Sequence, residues 1–145
     1  KKSLDTFLVL LYYFASTKKR GDTMAWNLNS DRPIFIQIVE RIEMDIISGK
    51  YKPGDKLPSV RDLAAEAAVN PNTMQKAFTE LERTGLVFSQ RTTGRFITED
   101  TSMIDELKST LAKDKITELL SFMQQLGFQE NEILAMIGQT MKGEK

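Results

Sequence analysis

The stretch SVRDLAAEAAVNPNTMQKAFTELERTG, residues 59–85, decides the fold. It holds two helix starts separated by a sharp break. Ser59 suits an N-cap, and Asp62 three positions on makes a capping-box variant. Val60, Leu63, Ala64 and Ala67 then form a short, alanine-rich apolar stripe that another helix can approach closely. Asn70-Pro71 restarts the chain, with Asn as N-cap and Pro at the first helical position. Met74, Ala77, Phe78 and Leu81 follow at helical spacing as one buried face, and Gly85 closes the helix. A hundred-degree step per residue puts Asn72, Gln75, Lys76, Thr79 and Arg83 on the opposite side.

Working outward, Asp31-Arg32-Pro33 is a helix-start signal upstream, with Pro33 suited to the first helical position. Ile34, Phe35, Ile38, Val39, Ile42 and Ile46 recur on one face until Gly49. Lys50 to Asp55, with Pro53-Gly54 inside it, is expected as a turn-rich loop. Downstream, Leu86–Ser89 and Arg95–Thr98 are expected as strands around a polar loop, Gln90–Gly94, which makes a β-hairpin. Beyond it, Ile104, Leu107, Leu111, Ile116, Leu119, Leu120 and Met123 suggest one long helix or two short ones. Gly127 breaks the pattern, and Ile133, Leu134, Ile137 and Met141 line a final helix. This helical tail is too small to hide its own apolar stripe, so those residues from Ile104 to Ile137 are expected to dimerise. The fold class is therefore mainly α with a small β-hairpin. A winged helix-turn-helix over 24–99 precedes a two- to three-helix C-terminal dimerisation tail over 100–145.

Composition narrows the function. The 145 residues include no Cys and no His. Disulfides, thiolate nucleophiles and the commonest metal ligand and general base are thereby excluded. Ser59 has no histidine to activate it and is read as a cap. Pro53-Gly54 lacks the spacing of a phosphate-binding loop. The expectation is no enzyme, no cofactor and no metal. Net charge is zero but unevenly spread. Residues 1–23 carry +3, residues 24–99 are neutral, and residues 100–145 carry −3. Within the neutral block, Lys50, Lys52, Lys56 and Arg61 cluster, apart from Glu40, Glu43 and Asp45. A basic face on a neutral domain can meet phosphate.

Residues 1–23 form an apolar N-terminal segment. Leu4 to Ala15 is strongly apolar and flanked by Lys1-Lys2 and Lys18-Lys19-Arg20. It resembles a signal-peptide core but is short for a membrane span. Met24 opens an ordinary soluble sequence, so the expected native start is Met24 and the expected location cytoplasmic, with no membrane partner. The alternative is a short amphipathic helix packing on a dimer or a membrane surface.

Two short helices, a tight turn and a hairpin suit double-stranded DNA. The helix starting after Asn70 is expected to offer free backbone N–H groups and a positive dipole to phosphate. Asn72, Gln75 and Lys76 have the chemistry for base edges in the major groove. Arg61 is placed for phosphate, and Arg91 and Arg95 for a flanking backbone or minor groove. Arg95 has the alternative of pairing with a nearby acid. A protein-interaction module without DNA binding is the competing reading. A small-molecule effector has no locatable site in the sequence.

GKYKPGDKLPSVRDLA (residues 49–64), VNPNTMQKAF (69–78), LERTGLV (81–87) and GRFI (94–97) together resemble the signature of the GntR family of bacterial regulators. The resemblance covers about half the chain. It implies a homodimer on a pseudo-palindromic operator. It also implies contacts from Arg61, Asn70, Asn72, Thr73 and Gln75 and from the wing glycine, Gly94. Pro71 stands where some members carry a basic residue, so base preference does not transfer. The short tail, with LGFQENEIL at residues 126–134, resembles the small YtrA-type subfamily. That likeness implies a dimerising tail and a repressor of transporter-type genes.

Overall fold

The computed structural model describes residues 26–143, so the N-terminal apolar segment lies outside the described residues. The described elements are α1 (Ile34–Ile47), α2 (Val60–Ala67), α3 (Pro71–Arg83), β1 (Val87–Gln90), β2 (Gly94–Ile97), α4 (Thr101–Gln125) and α5 (Glu130–Met141). They fall into two compact units that divide within α4, after Lys108.

In the first unit α3 is the central element, touching α1, α2 and β1. It buries Met74, Ala77, Phe78 and Leu81 completely. Ile38, Ile42 and Ile46 of α1 and Leu63, Ala64 and Ala67 of α2 complete the core. Each fully buried large side chain contributes about 1.5–3 kcal/mol relative to exposure. The alanines of α2 give the close approach that their size allows. Trp26 and Leu28, before α1, pack on the same core. Gln37 is a buried polar residue on the inner face of α1. Its amide accepts from the Asn29 N–H at 2.8 Å and donates to the carbonyls of Asn29 and Arg32. Those three bonds fix the chain entering the helix. Pro33 takes the N-cap position, one residue earlier than expected, and α1 starts at Ile34.

Both caps expected in the decisive stretch form. The Ser59 hydroxyl accepts from the Asp62 N–H at 3.1 Å. The Asn70 side-chain oxygen accepts from the Asn72 N–H at 2.7 Å. Between them Ala68 turns the chain in the left-handed region, with φ of 57°. Gly85 ends α3 with φ of 85°, and a Cβ there would stand 3.4 Å from the Met103 methyl.

The strands pair Val87 with Ile97, Phe88 with Phe96, Ser89 with Arg95 and Gln90 with Gly94. They run over Val87–Gln90 and Gly94–Ile97, one residue from the expected limits. The Thr98 N–H still bonds the Leu86 carbonyl beyond the ladder. Val87 and Ile97 face the core, while Phe88 and Phe96 stack on the other face with centroids 5.9 Å apart. The loop expected after α1 does more than turn. Gly54 and Asp55 bond Ile97, and Leu57 bonds the Arg95 carbonyl, so this segment runs along β2.

The expected first tail helix is a single 25-residue helix, α4. Its start is fixed by the Asp100 carboxylate, which accepts from the Ser102 hydroxyl and from the Ser102 and Met103 N–H groups. Those donors, the Ser102 hydroxyl first, hold the Asp100 carboxyl below its usual range. Ile104 and Leu107, expected at a dimer interface, instead pack on the first unit's core. In the second unit Gly127 turns the chain into α5, as expected. There the Gln129 N–H bonds the Glu132 carboxylate at 2.9 Å. Ile133 is 2% exposed, a second departure from the expected interface residues, because it is used up inside its own chain. Leu111, Met123 and Ile137 are half-buried. Ile116, Leu119, Leu120 and Leu134 are exposed, and Phe122, Leu126, Met136 and Met141 join them. Among the described residues no helix is long and apolar enough to cross a membrane.

Candidate nucleic-acid interface

A groove of about 800 Å³ runs between the first turn of α2, the outer side of α3 and the hairpin turn. Arg61, Gln75, Gly94 and Arg95 line it together, with Lys56, Thr92 and Thr93. The local causes are plain. Ser59 starts α2 so that Arg61 falls in its first turn, exposed. Met74, Ala77 and Phe78 turn inward, and helical spacing then leaves Gln75 outward. Gly94 has φ of 122°, and a Cβ there would lie 3.0 Å from the Lys56 side chain. A larger residue would both strain β2 and displace Lys56.

The remaining expected contacts divide. Asn72 and Arg91 are exposed but do not line the groove. Thr73 and Asn70 line a separate hollow of about 390 Å³ with Trp26, Leu28, Ile34 and Val69. Asn70 also spends its side-chain oxygen on the cap. The Gln75 backbone carbonyl accepts from the Thr79 hydroxyl at 2.9 Å. The Gln75 amide reaches that hydroxyl only at 3.4 Å, a weak bond that a base edge can replace. No ion pair among the described residues engages Arg61 or Arg91.

Three expectations change. The first turn of α3 does not present free N–H groups. Pro71 has none, Asn70 takes that of Asn72, and those of Thr73 and Met74 bond the Asn70 carbonyl. The dipole remains, without the orphan donors. Lys76 leans away from the outer face, its ammonium 4.1 Å from the Phe35 ring centroid on α1. Arg95 takes the acid-paired alternative. Its Nε donates to the Glu82 carboxylate, and its guanidinium lies 5.2 Å from the Phe78 ring centroid.

Charge sorts only in part by face, since Asp62 lines the groove beside Lys56 and Arg61. Lys50 pairs with Asp45 at 3.7 Å, away from the groove, whereas Lys56 stays on it. Of the acids on α1, Asp45 pairs with Arg41 and Lys50, while Glu43 lies near Glu40 and Glu80. Burial raises the Glu43 carboxyl above its usual 4.5, helped by Glu40 and Glu80. Arg83 bonds Glu80 at 2.6 Å and lowers its pKa. Sequence reasoning missed Thr92 and Thr93, for which only a hairpin-turn position gave a signal. It also missed Glu82, one helical turn after Phe78, whose partner lies 13 residues downstream.

The family described as bacterial regulatory proteins, gntR family, matches residues 36–97, from α1 to the end of β2. The HTH-type regulator YhcF of Bacillus subtilis is 40% identical over 105 residues, spanning 72% of this chain and 87% of that protein. The chain belongs to the GntR family. A second Bacillus subtilis relative, the HTH-type transcriptional repressor YtrA, is 41% identical over 97 residues, 67% of this chain and 70% of its own length. A solved GntR family regulator from Listeria monocytogenes superposes with a TM-score of 0.73 at 39% identity. That match covers 77% of this chain and 98% of the other. The chain is thus a GntR-family transcriptional regulator with a helix-turn-helix DNA-binding fold, and its relatives are regulators, not enzymes.

Proposed function

We propose that this regulator is a homodimeric repressor that reads a pseudo-palindromic operator in the cytoplasm, one half-site per winged unit. The observation that carries the reading is the single groove bringing Arg61, Gln75, Gly94 and Lys56 together beside the exposed side of α3. In this arrangement α3 enters the major groove, with Gln75 and Asn72 at base edges. Arg61 and Lys56 neutralise phosphates, and the hairpin turn brings Arg91 to the flanking backbone or minor groove. Asn70 and Thr73 support α3 from the side of the smaller hollow. The tail pairs two protomers through Ile116, Leu119, Leu120 and Leu134, which are otherwise left in water. Repression is favoured by the repressor role of the YtrA relative. Transporter-type genes are the targets that the YtrA-type resemblance suggests.

The test is selection from a randomised duplex pool by the full chain across a salt series. The expected result is a two-fold-symmetric site with half-sites about 10 base pairs apart and affinity that falls steeply with salt. Failure to enrich any sequence, with the protein folded, would favour the protein-interaction reading instead.

A further inference from the structure

Resting on that reading, we infer that Glu82 and Arg95 form a strut that sets the spacing between the recognition helix and the wing, so that Arg95 is a positioning residue and not a DNA contact. Arg95 lies two residues before the buried Ile97, which puts its side chain on the face of β2 turned toward α3. Glu82 lies one turn after Phe78 on α3, on the same helical side. The guanidinium is held at both ends of this pair, by the Glu82 carboxylate and by the Phe78 ring. Its backbone is held too, since the Arg95 carbonyl accepts from the Leu57 N–H at 2.8 Å.

The surroundings make release to phosphate unfavourable. The two side chains are only 26% and 31% exposed, so each is partly desolvated. Arg83, the nearest other cation along the helix, is taken by Glu80. If Arg95 swung out to DNA, Glu82 would be left unpaired beside a phosphate-lined groove, and the stacking on Phe78 would disappear. Kept in place, Arg95 neutralises the Glu82 carboxylate and fixes the distance from Gln75 on α3 to Thr92 and Thr93 on the hairpin turn. That distance decides whether major-groove and flanking contacts are made together.

Glu82→Gln separates the two roles, because they predict opposite signs. Removing a carboxylate near DNA and freeing an arginine tightens binding if Arg95 is a phosphate contact. It weakens binding if the pair is a strut. The full chain is titrated against the selected operator duplex and against a duplex trimmed of the flanking base pairs the wing would reach. For the strut, Glu82→Gln weakens the long duplex about threefold to tenfold and leaves the trimmed one within about twofold. Arg95→Lys keeps the charge but loses the stacked geometry, and behaves the same way. The double variant Glu82→Gln/Arg95→Gln is no weaker than Arg95→Gln alone. Unchanged or tighter binding by Glu82→Gln, full retention by Arg95→Lys, or equal losses on both duplexes would each overturn the inference. A wild-type chain that does not prefer the operator over random DNA overturns the functional reading itself, before any variant is compared.

Discussion

The winged unit and the tail both carry apolar residues at helical spacing and use them differently. On α3 every apolar residue of the stripe is fully buried by α1, α2 and the hairpin. On α4 beyond Lys108, on α5 and in the turn between them, Ile133 is buried, while Ile116, Phe122, Leu126 and Leu134 each remain more than half exposed. A helical stripe identifies a face that must be covered. Whether its own chain covers it depends on how many elements fold back, and among the described residues the tail has only two.

That contrast can be broken from either side. The largest effect belongs to the winged core: Phe78→Ala should cost about 3–5 kcal/mol and unfold much of the unit, read by denaturant titration. A loss below about 1 kcal/mol would mean that α3 is not the central element. Next comes the tail. Leu119→Glu with Leu134→Glu should leave the unfolding midpoint of the winged unit unchanged yet abolish self-association and weaken operator binding by about 10²-fold or more, as avidity disappears. If the variant still sediments as a dimer, the exposed apolar row is not the interface.

Within the winged unit, Gln75→Ala should narrow the gap between operator and mutated operator by about 1–3 kcal/mol. Arg61→Ala should instead weaken all duplexes alike and reduce the salt slope by about 0.9 for each phosphate no longer neutralised. Matching losses for the two variants on specific and random DNA would dissolve that distinction. The smallest effect concerns Glu43. Its carboxyl is raised in the folded state by burial, then by Glu40 and Glu80, so folding favours the neutral form. The resulting stability is present below the unfolded value of 4.5 and is lost as pH rises through the raised folded value. Glu43→Gln should therefore stabilise by about 0.5 kcal/mol near neutral pH, after discounting for solvent screening, and make no difference near pH 3. A variant less stable than the parent at pH 7 would contradict this.

Local chemistry was legible in the sequence. Ser59, Asn70-Pro71, Gly85 and Gly127 mark helix ends through caps and φ values that neighbours alone dictate, and the stripe of α3 follows from helical spacing. What escaped depends on distant pairing. The register of β1 and β2 decides that Arg95 faces Glu82, and no local pattern encodes it. The run of residues 54–57 along β2 is likewise a long-range pairing inside a stretch whose Pro and Gly read as turn. Lys76 sits on the outer arc of α3 by angle, but its four-carbon stem lets the ammonium reach back to Phe35. Gln37 interrupts an apolar face, and its burial makes sense only once the chain before α1 folds against it. Of the residues lining the groove, Arg61 and Gln75 were expected from their helical positions and Gly94 only through the family resemblance, whereas the pairing of Arg95 required the fold.

The most direct test of the division between a DNA-reading unit and a pairing tail is sedimentation equilibrium of the full chain with the selected operator duplex. Two protomers per duplex are expected, reduced to one weakly held protomer when the duplex carries a single half-site. One protomer per full operator, or two protomers held equally well by a single half-site, would contradict that division.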